Sequence, residues 1–206
     1  MVDWVDTEGR VICPLPRAVV HTNNILHRGA GVMIRNEKGE VYCHRRTATK
    51  RVFPSMYDMF IGGISGSMEP SRLTALRELA EELGLGPLAG HRDGGRGGRG
   101  QADAGVDGGE EFLAHRGECL VQTESNRCVV SVFDYRVEPW ETVRWQEEEV
   151  DWGSYVSWEE VEARVSDGTW EFVPDGLQVW RNYLEWKDAP AAAATAAGAT
   201  GATDAR

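Results

Sequence analysis

Long apolar segments are absent from this sequence. No run of about 18 apolar residues occurs, which excludes a membrane-spanning helix. The first ten residues, MVDWVDTEGR, have neither the basic stretch nor the apolar stretch of a secretory signal. From these two absences we expect a cytoplasmic protein that does not bind a membrane.

Closely spaced cysteines are absent as well. The four cysteines, Cys13, Cys43, Cys119 and Cys128, form no CxxC pair. Zinc sites commonly use such pairs, and disulfide frameworks are typical of small secreted domains. The spacing therefore favours reduced, mostly buried thiols in an intracellular protein over either alternative.

Positive charge is in deficit. The chain has 22 Lys and Arg residues against 33 Asp and Glu residues, which gives a formal net charge of −11 at pH 7. Because nucleic-acid phosphates repel an acidic surface, we expect no nucleic-acid polymer as a partner. The segment GGRGGRG at 94–100 is similar to RNA-binding RGG segments, but two such units in an acidic chain favour an insertion in a surface loop.

Two stretches lack the apolar pattern of a folded segment. Nine of the twenty residues from Gly90 to Gly109 are glycine, and so few apolar side chains cannot offset the entropy lost on ordering. The last stretch, APAAAATAAGATGATDAR, is interrupted by proline and glycines. We predict one domain over residues 1–188, with a flexible insert at about 90–109, followed by a disordered tail over 189–206.

The remaining sequence mixes strand and helix patterns. AGVMIRN and EVYCHRR, joined at Lys38-Gly39, predict a β-hairpin, and CVVSVFDYRV at 128–137 predicts a further strand. Two later helices are predicted at 158–161 and 177–186.

The clearest helix is predicted over residues 70–83. A proline stands at its first position and Gly84 follows its end, as is typical of helix boundaries. Its apolar residues recur at helical spacing and are Leu73, Leu76, Leu79, Ala80 and Leu83.

Three glutamates share one face of this predicted helix. Glu78, Glu81 and Glu82 stand at i, i+3 and i+4, where like charges repel. A bound cation would remove that repulsion, and Mg²⁺ prefers such hard oxygen ligands. Arg77 can orient a neighbouring carboxylate by a charge-assisted hydrogen bond. A solvated acidic helix face is the alternative.

The spacing around these glutamates resembles the Nudix box at every fixed position. Five residues separate Gly63 from Glu69, and seven residues separate Glu69 from Arg77. The segment from Arg77 to Leu85 then reads RELAEELGL. The solvated-face alternative does not explain Gly63, Glu69 or Gly84, which this box requires.

The resemblance implies a fold, an activity and roles for individual residues. It implies an α+β fold, an α/β/α sandwich with a mixed sheet between helices. It also implies hydrolysis, dependent on Mg²⁺ or Mn²⁺, of a diphosphate linkage in a nucleoside diphosphate derivative or similar small molecule. The metal ligands it implies are the Gly63 carbonyl and the carboxylates of Glu78, Glu81 and Glu82, one of which would also activate water. Glu69 and Arg77 would brace the loop and the helix, and Arg77 is counted with the catalytic group. A homodimer is compatible with the resemblance.

Segments outside the box are similar to the Nudix branch that contains type I isopentenyl diphosphate isomerase and its hydrolase-like relatives. These segments are residues 26–28, 36–58, 147–150 and 156–161. The isomerase needs a cysteine and a metal-binding histidine just before the box, where the ungapped match places Gly62 and Ile64. We therefore expect a hydrolase; an isomerase-like enzyme and a Nudix-fold protein that senses a nucleotide are the alternatives.

Basic residues after the hairpin are candidates for substrate binding. Arg45, Arg46 and Lys50 carry the guanidinium and ammonium groups that bind a diphosphate. The alternative is that they are solvent-facing cations of an edge strand.

Further candidates are a histidine and a run of glutamates. His27 is either a metal ligand or a hydrogen-bonded structural residue, and the second interpretation is favoured. Glu148 and Glu149, in the run from Glu147, are either a further metal ligand and general base or solvated charges. Met68 departs from the box, which often has glycine before Glu69.

Overall fold

The computed structural model describes residues 1–89 and 113–187, so the insert predicted at about 90–109 and the tail at 189–206 lie outside the described residues. The elements of the described residues are β1 (Val2–Val5), β2 (Val11–Leu15), α1 (Arg17–Thr22), β3 (His27–Arg35), β4 (Val41–Arg46), β5 (Tyr57–Asp58), β6 (Phe60–Ile64), α2 (Ser71–Leu83), β7 (Leu113–Gln122), β8 (Arg127–Arg136), β9 (Val150–Val156), α3 (Trp158–Asp167) and α4 (Pro174–Trp186).

A seven-stranded mixed sheet is the centre of the fold. β3 is buried along most of its length, and it pairs in parallel with β8 and antiparallel with β6. β4 pairs antiparallel with β5 and β9, and it meets β3 where Arg35 opposes Val41. β7 pairs with β8. A central strand covered on both faces needs a nearly continuous apolar run, and the AGVMI segment of β3 supplies it.

The turn between β3 and β4 confirms the predicted hairpin. Gly39 has a φ of +79°, a conformation that side chains with a Cβ rarely adopt. The Asn36 carboxamide oxygen accepts hydrogen bonds from the backbone N–H groups of Lys38 and Glu40, which closes the turn. β8 likewise confirms the strand predicted at 128–137.

Helices cover both faces of the sheet and enclose two apolar cores. α2 packs against β3 and β6, while α4 packs against β7 and β8. One core joins α2 to Val32, Ile34 and Phe133 of the sheet. The other joins α3 and α4 to the opposite sheet face through Val161 and Trp180. The α+β fold and the α/β/α sandwich are confirmed, as are two helices late in the chain.

The structure also bears on two of the absences noted in the sequence. No helix in residues 1–89 or 113–187 is both long and apolar enough to cross a membrane. The four cysteines are free thiols, of which Cys43, Cys119 and Cys128 are buried and Cys13 is half-buried.

α2 follows the predicted helix with one difference. It begins at Ser71, directly after Pro70, and it ends before Gly84, whose φ of +64° terminates the helix. Four of the five predicted apolar residues are buried, but Leu73 is 46% exposed. Leu73 stands one turn before Arg77, so it lies on the charged side of the helix instead of the core side.

The N-terminal hairpin of β1 and β2 holds the loop that precedes α2. The Asp3 carboxylate accepts a hydrogen bond of 2.6 Å from the Ser67 hydroxyl and one of 3.0 Å from the Met68 N–H. Burial raises the pKa of the Asp3 carboxyl, but these hydrogen bonds outweigh it and leave the pKa below its usual value. The loop is therefore held from outside the box by a residue more than sixty positions away.

Met68 occupies the left-handed region of backbone conformation. Its φ is +64° and its side chain is 84% exposed, so the side chain gains little that would offset the strain. We expect Met68→Gly to raise the free energy of unfolding by about 1 kcal/mol, because glycine removes the clash of Cβ with the backbone. Met68→Ala is the matched control, since it keeps the Cβ. Chemical denaturation would measure both, and an equal effect of the two variants would contradict the explanation.

Candidate metal centre and active-site cleft

Arg77 binds the loop before α2 to the helix itself. Its guanidinium donates to Glu69 Oε1 at 2.9 Å, to Glu78 Oε1 at 2.6 Å and to the Ile64 carbonyl at 3.2 Å. Glu69 in turn accepts a hydrogen bond of 2.6 Å from the Gly66 N–H. Burial raises the pKa of Glu69, but its bonds to Arg77 and Gly66 outweigh this and lower that pKa. One guanidinium thus fixes both ends of the loop–helix junction.

Glu78 is packed against the end of β6 and is only 9% exposed. A Cβ on Gly63 would overlap the Glu78 carboxylate, so only glycine leaves room for it. Burial raises the pKa of Glu78, and the charge of Arg77 opposes that increase. The Gly63 carbonyl oxygen lies beside Gly29 of β3, and Gly63 itself lines the cleft described below.

Glu81 is the most exposed of the three box glutamates, at 54% of its side chain. Its carboxylate accepts a weak hydrogen bond of 3.3 Å from Arg77. Within residues 1–89 and 113–187, no group of three His, Cys, Asp or Glu side chains is arranged around one metal position. Arg77 binds oxygens of both Glu78 and Glu81.

The donor chemistry and the charges nevertheless fit a divalent cation. Three carboxylates project from adjacent turns of α2, and they are the hard oxygen ligands that Mg²⁺ prefers. The charge of Glu81 raises the pKa of Glu78, and that of Glu78 raises the pKa of Glu82. A cation near these groups would relieve this mutual repulsion.

Glu82 is the box glutamate that lines the cleft. It is partly exposed to the cleft and enclosed by protein on its other sides. Loss of hydration, followed by the charges of Glu78 and Glu149, raises the pKa of Glu82 to about 8. A carboxyl group with such a pKa can exchange a proton near neutral pH.

The cleft has a volume of about 940 Å³ and runs across one end of the sheet. The region around α2 and the end of β4 supplies Glu82, Arg46, Lys50, Glu148 and Glu149. β3, β6 and β8 supply its floor, and the start of α4 supplies its far wall. Its ionisable lining includes both signs of charge, which is typical of a site that binds an anion together with a cation.

The predicted substrate-binding residues divide between two sides of β4. Arg46 and Lys50 line the cleft, where Lys50 also forms an ion pair with Glu149. Arg45 lies elsewhere, with its Nε 2.7 Å from Asp151 Oδ1. Successive side chains of a strand point to opposite faces, so Arg45 and Arg46 cannot both face the cleft.

His27 lines the cleft floor and is 2% exposed. Its Nδ1 lies 2.8 Å from the Ile25 carbonyl oxygen, which can only accept, so Nδ1 carries the proton. Burial lowers the pKa of His27, which favours the neutral ring. The ring thus makes the local hydrogen bond that the sequence favoured, and its Nε2 is left as an acceptor.

Asp58 is a cleft residue that the sequence did not indicate. Its carboxylate accepts hydrogen bonds from the N–H groups of Met59 and Phe60, at 2.8 and 3.1 Å. Burial raises the pKa of Asp58 to about 7, although these hydrogen bonds oppose the increase. No local pattern marks this residue.

Four more polar residues of the cleft were also missed. Arg17 comes from α1, Arg51 follows Lys50, Asn126 lies before β8, and Asp175 lies in the first turn of α4. Only Arg51 had a signal in the sequence, its position beside Lys50. The other three come together only when segments that are distant in the sequence pack against one another, and no short motif indicates such packing.

The chain matches the NUDIX domain family over residues 25–176. It is 36% identical over 190 residues to an uncharacterized Nudix hydrolase of Streptomyces coelicolor, which covers 92% of this chain and 91% of that protein. It is 31% identical over 180 residues to an uncharacterized Nudix hydrolase of Rhodococcus erythropolis, with 86% and 88% covered.

Solved structures share the fold at low sequence identity. The crystal structure of DR0079 from Deinococcus radiodurans superposes with a TM-score of 0.63 at 19% identity, covering 88% of this chain and 98% of that one. The NUDIX domain of NrtR from Shewanella oneidensis, in complex with ADP-ribose, gives a TM-score of 0.52 at 13% identity, covering 83% and 98%.

Two glycines of the same loop allow a matched test of the Glu78 packing. Gly63→Ala would force the Glu78 carboxylate out of its place, so we expect a loss of about 1–3 kcal/mol in the free energy of unfolding. Gly66→Ala would place its Cβ at an ordinary distance of 3.4 Å from Glu69, so its effect should stay within about 0.5 kcal/mol. Urea denaturation would measure both. Equal losses would show that the fit of Gly63 to Glu78 does not matter.

The raised pKa of Glu82 predicts a pH-dependent stability in the absence of metal. Between the ordinary value of 4.5 and the folded value of about 8, the folded protein holds more protons, so stability should fall as the pH rises through this window. Glu82→Gln removes this dependence. We expect the variant to match the wild type near pH 5 and to exceed it by up to a few kcal/mol above pH 8, since one pKa unit corresponds to about 1.4 kcal/mol.

Chemical denaturation in a chelator at several pH values would measure the difference. The exposed Glu159 provides the control variant, Glu159→Gln, which should follow the wild type at every pH. A constant difference between Glu82→Gln and the wild type would contradict the assigned pKa.

Proposed function

This chain belongs to the Nudix family, and we propose on that premise that it hydrolyses a diphosphate linkage in a small molecule with the help of Mg²⁺ or Mn²⁺. The observation that carries the proposal is the position of Glu82. It is the box carboxylate that lines a cleft which Arg46 and Lys50 also line. A site for metal and a site for phosphate would thereby share one cavity.

The balance of charges supports a cation between protein and substrate. Carboxylates of Glu82, Glu148 and Glu149 lie along the same part of the cleft and would repel a diphosphate. Arg46 and Lys50 attract it, but Lys50 already forms an ion pair with Glu149. A divalent cation held by the carboxylates would turn this repulsion into attraction.

The residues that would hold the cation are those of the box. Glu78, Glu81 and Glu82 would bind it through carboxylate oxygens, and the Gly63 carbonyl is the candidate backbone ligand. When bound, the cation would polarise the diphosphate and lower the pKa of water. Arg77 would keep Glu78 in position through the 2.6 Å hydrogen bond and would release Glu81, which it binds weakly at 3.3 Å.

Glu82 is our candidate for the proton acceptor among the three glutamates. Its side chain lines the cleft, where it would lie within reach of the water that attacks the diphosphate. It would take a proton from the attacking water and hold it while the bond to the leaving phosphate breaks. Glu149 is the second candidate, because it lines the same part of the cleft.

A nucleoside diphosphate derivative is the substrate class that we favour. The NrtR NUDIX domain, which has the same fold, was crystallised with ADP-ribose, a molecule of this class. Isomerisation of isopentenyl diphosphate would require an acid and a base at carbon. Gly62 and Ile64 supply neither at the positions that the isomerase uses, so no observation supports that alternative.

A substrate panel tests the proposal. We expect release of phosphate or a nucleotide, dependent on Mg²⁺ or Mn²⁺, from a member of a panel of nucleoside triphosphates, dinucleotides, nucleotide sugars, coenzyme A and prenyl diphosphates. Glu82→Gln should lower the rate by about 10²–10⁴-fold, because it removes a carboxylate from the metal and from the water. Glu159→Gln, on the exposed side of α3, should leave the rate unchanged.

Two outcomes would decide against hydrolysis. Tight binding without turnover of any panel member would favour the nucleotide-sensing alternative. Conversion of isopentenyl diphosphate to dimethylallyl diphosphate would favour the isomerase alternative. Full activity of Glu82→Gln at limiting Mg²⁺ would remove Glu82 from the site.

A further inference from the structure

The cleft extends beyond the carboxylates of α2 to a second end with a different chemistry. This end lies where β8 begins and where α4 starts. Its lining includes the apolar side chains of Val121, Val130 and Val179 beside Asp175. The box glutamates do not belong to this end.

His27 lines this region and has one unsatisfied acceptor. Its Nδ1 donates to the Ile25 carbonyl, so Nε2 is unprotonated on the neutral ring. Nε2 is fully buried and has no hydrogen-bond partner in the described parts of the chain. A buried acceptor without a partner is destabilising, so a ligand that supplies a donor to it gains binding free energy.

Asp175 presents a second unsatisfied acceptor. Its Oδ2 accepts a 2.7 Å hydrogen bond from the Asn126 side chain, which fixes the orientation of the carboxylate. Its Oδ1 is buried and has no hydrogen-bond partner among residues 1–89 and 113–187. Asp175 and His27 both line the cleft, and the charge of Asp175 acts on the pKa of His27.

Two acceptor atoms without a hydrogen-bond partner favour a ligand that has hydrogen-bond donors. A cationic donor would be opposed by the other charges of the cleft, since Arg17, Arg46, Lys50 and Arg51 also line it. A neutral donor avoids this repulsion, and hydroxyl groups are neutral donors. The valine side chains offer contact to the carbon–hydrogen faces of a sugar ring.

We propose that His27 Nε2 and Asp175 Oδ1 form a subsite that binds hydroxyl groups of a sugar carried by the diphosphate substrate. The inference rests on the proposed function, because it takes the diphosphate to lie at the α2 end of the cleft. The subsite makes His27 and Asp175 specificity-determining residues. It favours sugar-bearing diphosphates over prenyl diphosphates, whose hydrocarbon chains have no donor for either acceptor.

Binding of diphosphate analogues that cannot be cleaved tests the subsite separately from the chemistry. The probes are methylenediphosphonate, isopentenyl methylenediphosphonate and the methylene-bridged analogue of ADP-ribose, titrated by calorimetry in Mg²⁺. The wild type should bind the ADP-ribose analogue at least about tenfold more tightly than the isopentenyl analogue.

Conservative variants remove one acceptor at a time. Asp175→Asn can keep the hydrogen bond to Asn126 through its oxygen, and it then presents an N–H₂ donor in place of Oδ1. His27→Asn can keep the bond to the Ile25 carbonyl while it removes Nε2. Each variant should weaken binding of the ADP-ribose analogue by about 5–30-fold and change binding of methylenediphosphonate by less than about twofold.

His27→Gln serves as the rescue variant, because its amide oxygen can reach the position of Nε2. It should bind the ADP-ribose analogue more tightly than His27→Asn does. Thermal melting of each variant would show that it is folded. If a His27 variant does not fold, Asp175→Asn alone tests the subsite.

The outcomes separate the subsite from the proposed function. Equal weakening of all three probes, or no weakening of the ADP-ribose analogue, would overturn the subsite and leave diphosphate binding intact. Failure of the wild type to bind methylenediphosphonate would overturn diphosphate binding itself, and the subsite with it.

Discussion

The arrangement of the site depends on one half-buried guanidinium. Arg77 is bonded at once to Glu69 in the loop, to Glu78 on the helix and to the Ile64 carbonyl at the end of β6. Without it, two carboxylates with little access to water would repel each other without compensation. A lysine has the charge but lacks the planar fork that reaches three acceptors in fixed directions. The position of α2 relative to the sheet therefore follows from hydrogen-bond geometry as well as from apolar packing.

This constraint explains why the box could be recognised in the sequence while the cleft could not. The contacts of the box join residues within one segment of 20 positions, which contains Gly63, Glu69, Arg77 and the glutamates. These contacts therefore require a fixed spacing in the sequence. The cleft is assembled from α1, β3, β4, β8 and α4, whose residues meet only after the sheet has formed. The sequence therefore predicted Glu82, Arg46 and Lys50 as site candidates, and it gave no signal for Asp58 or Asp175.

The same distinction between local and distant contacts holds for the fold. The hairpin at Gly39 and the helix ending at Gly84 were predictable because turn and cap conformations are set by a few neighbouring residues. Leu73 stands at helical spacing from the buried leucines but is exposed. The face of α2 that packs on the sheet is therefore narrower than the set of apolar residues predicted for it. The loop conformation at Met68 depends on Asp3 in β1, a contact between distant positions that no pattern reveals.

The cleft is asymmetric, and this asymmetry bears on selectivity more than on rate. Carboxylates and basic groups at the α2 end can act on any diphosphate, because they would contact the phosphates and the cation that accompanies them. The acceptors of His27 and Asp175 distinguish between substrates by gain: a sugar hydroxyl would donate to groups that are already buried without a partner, whereas a ligand without donors would leave them unpaired. The box carboxylates lie on α2, whereas His27 and Asp175 lie on β3 and α4. Selectivity could therefore change by substitution near α4 without disturbing the carboxylates that would hold the metal.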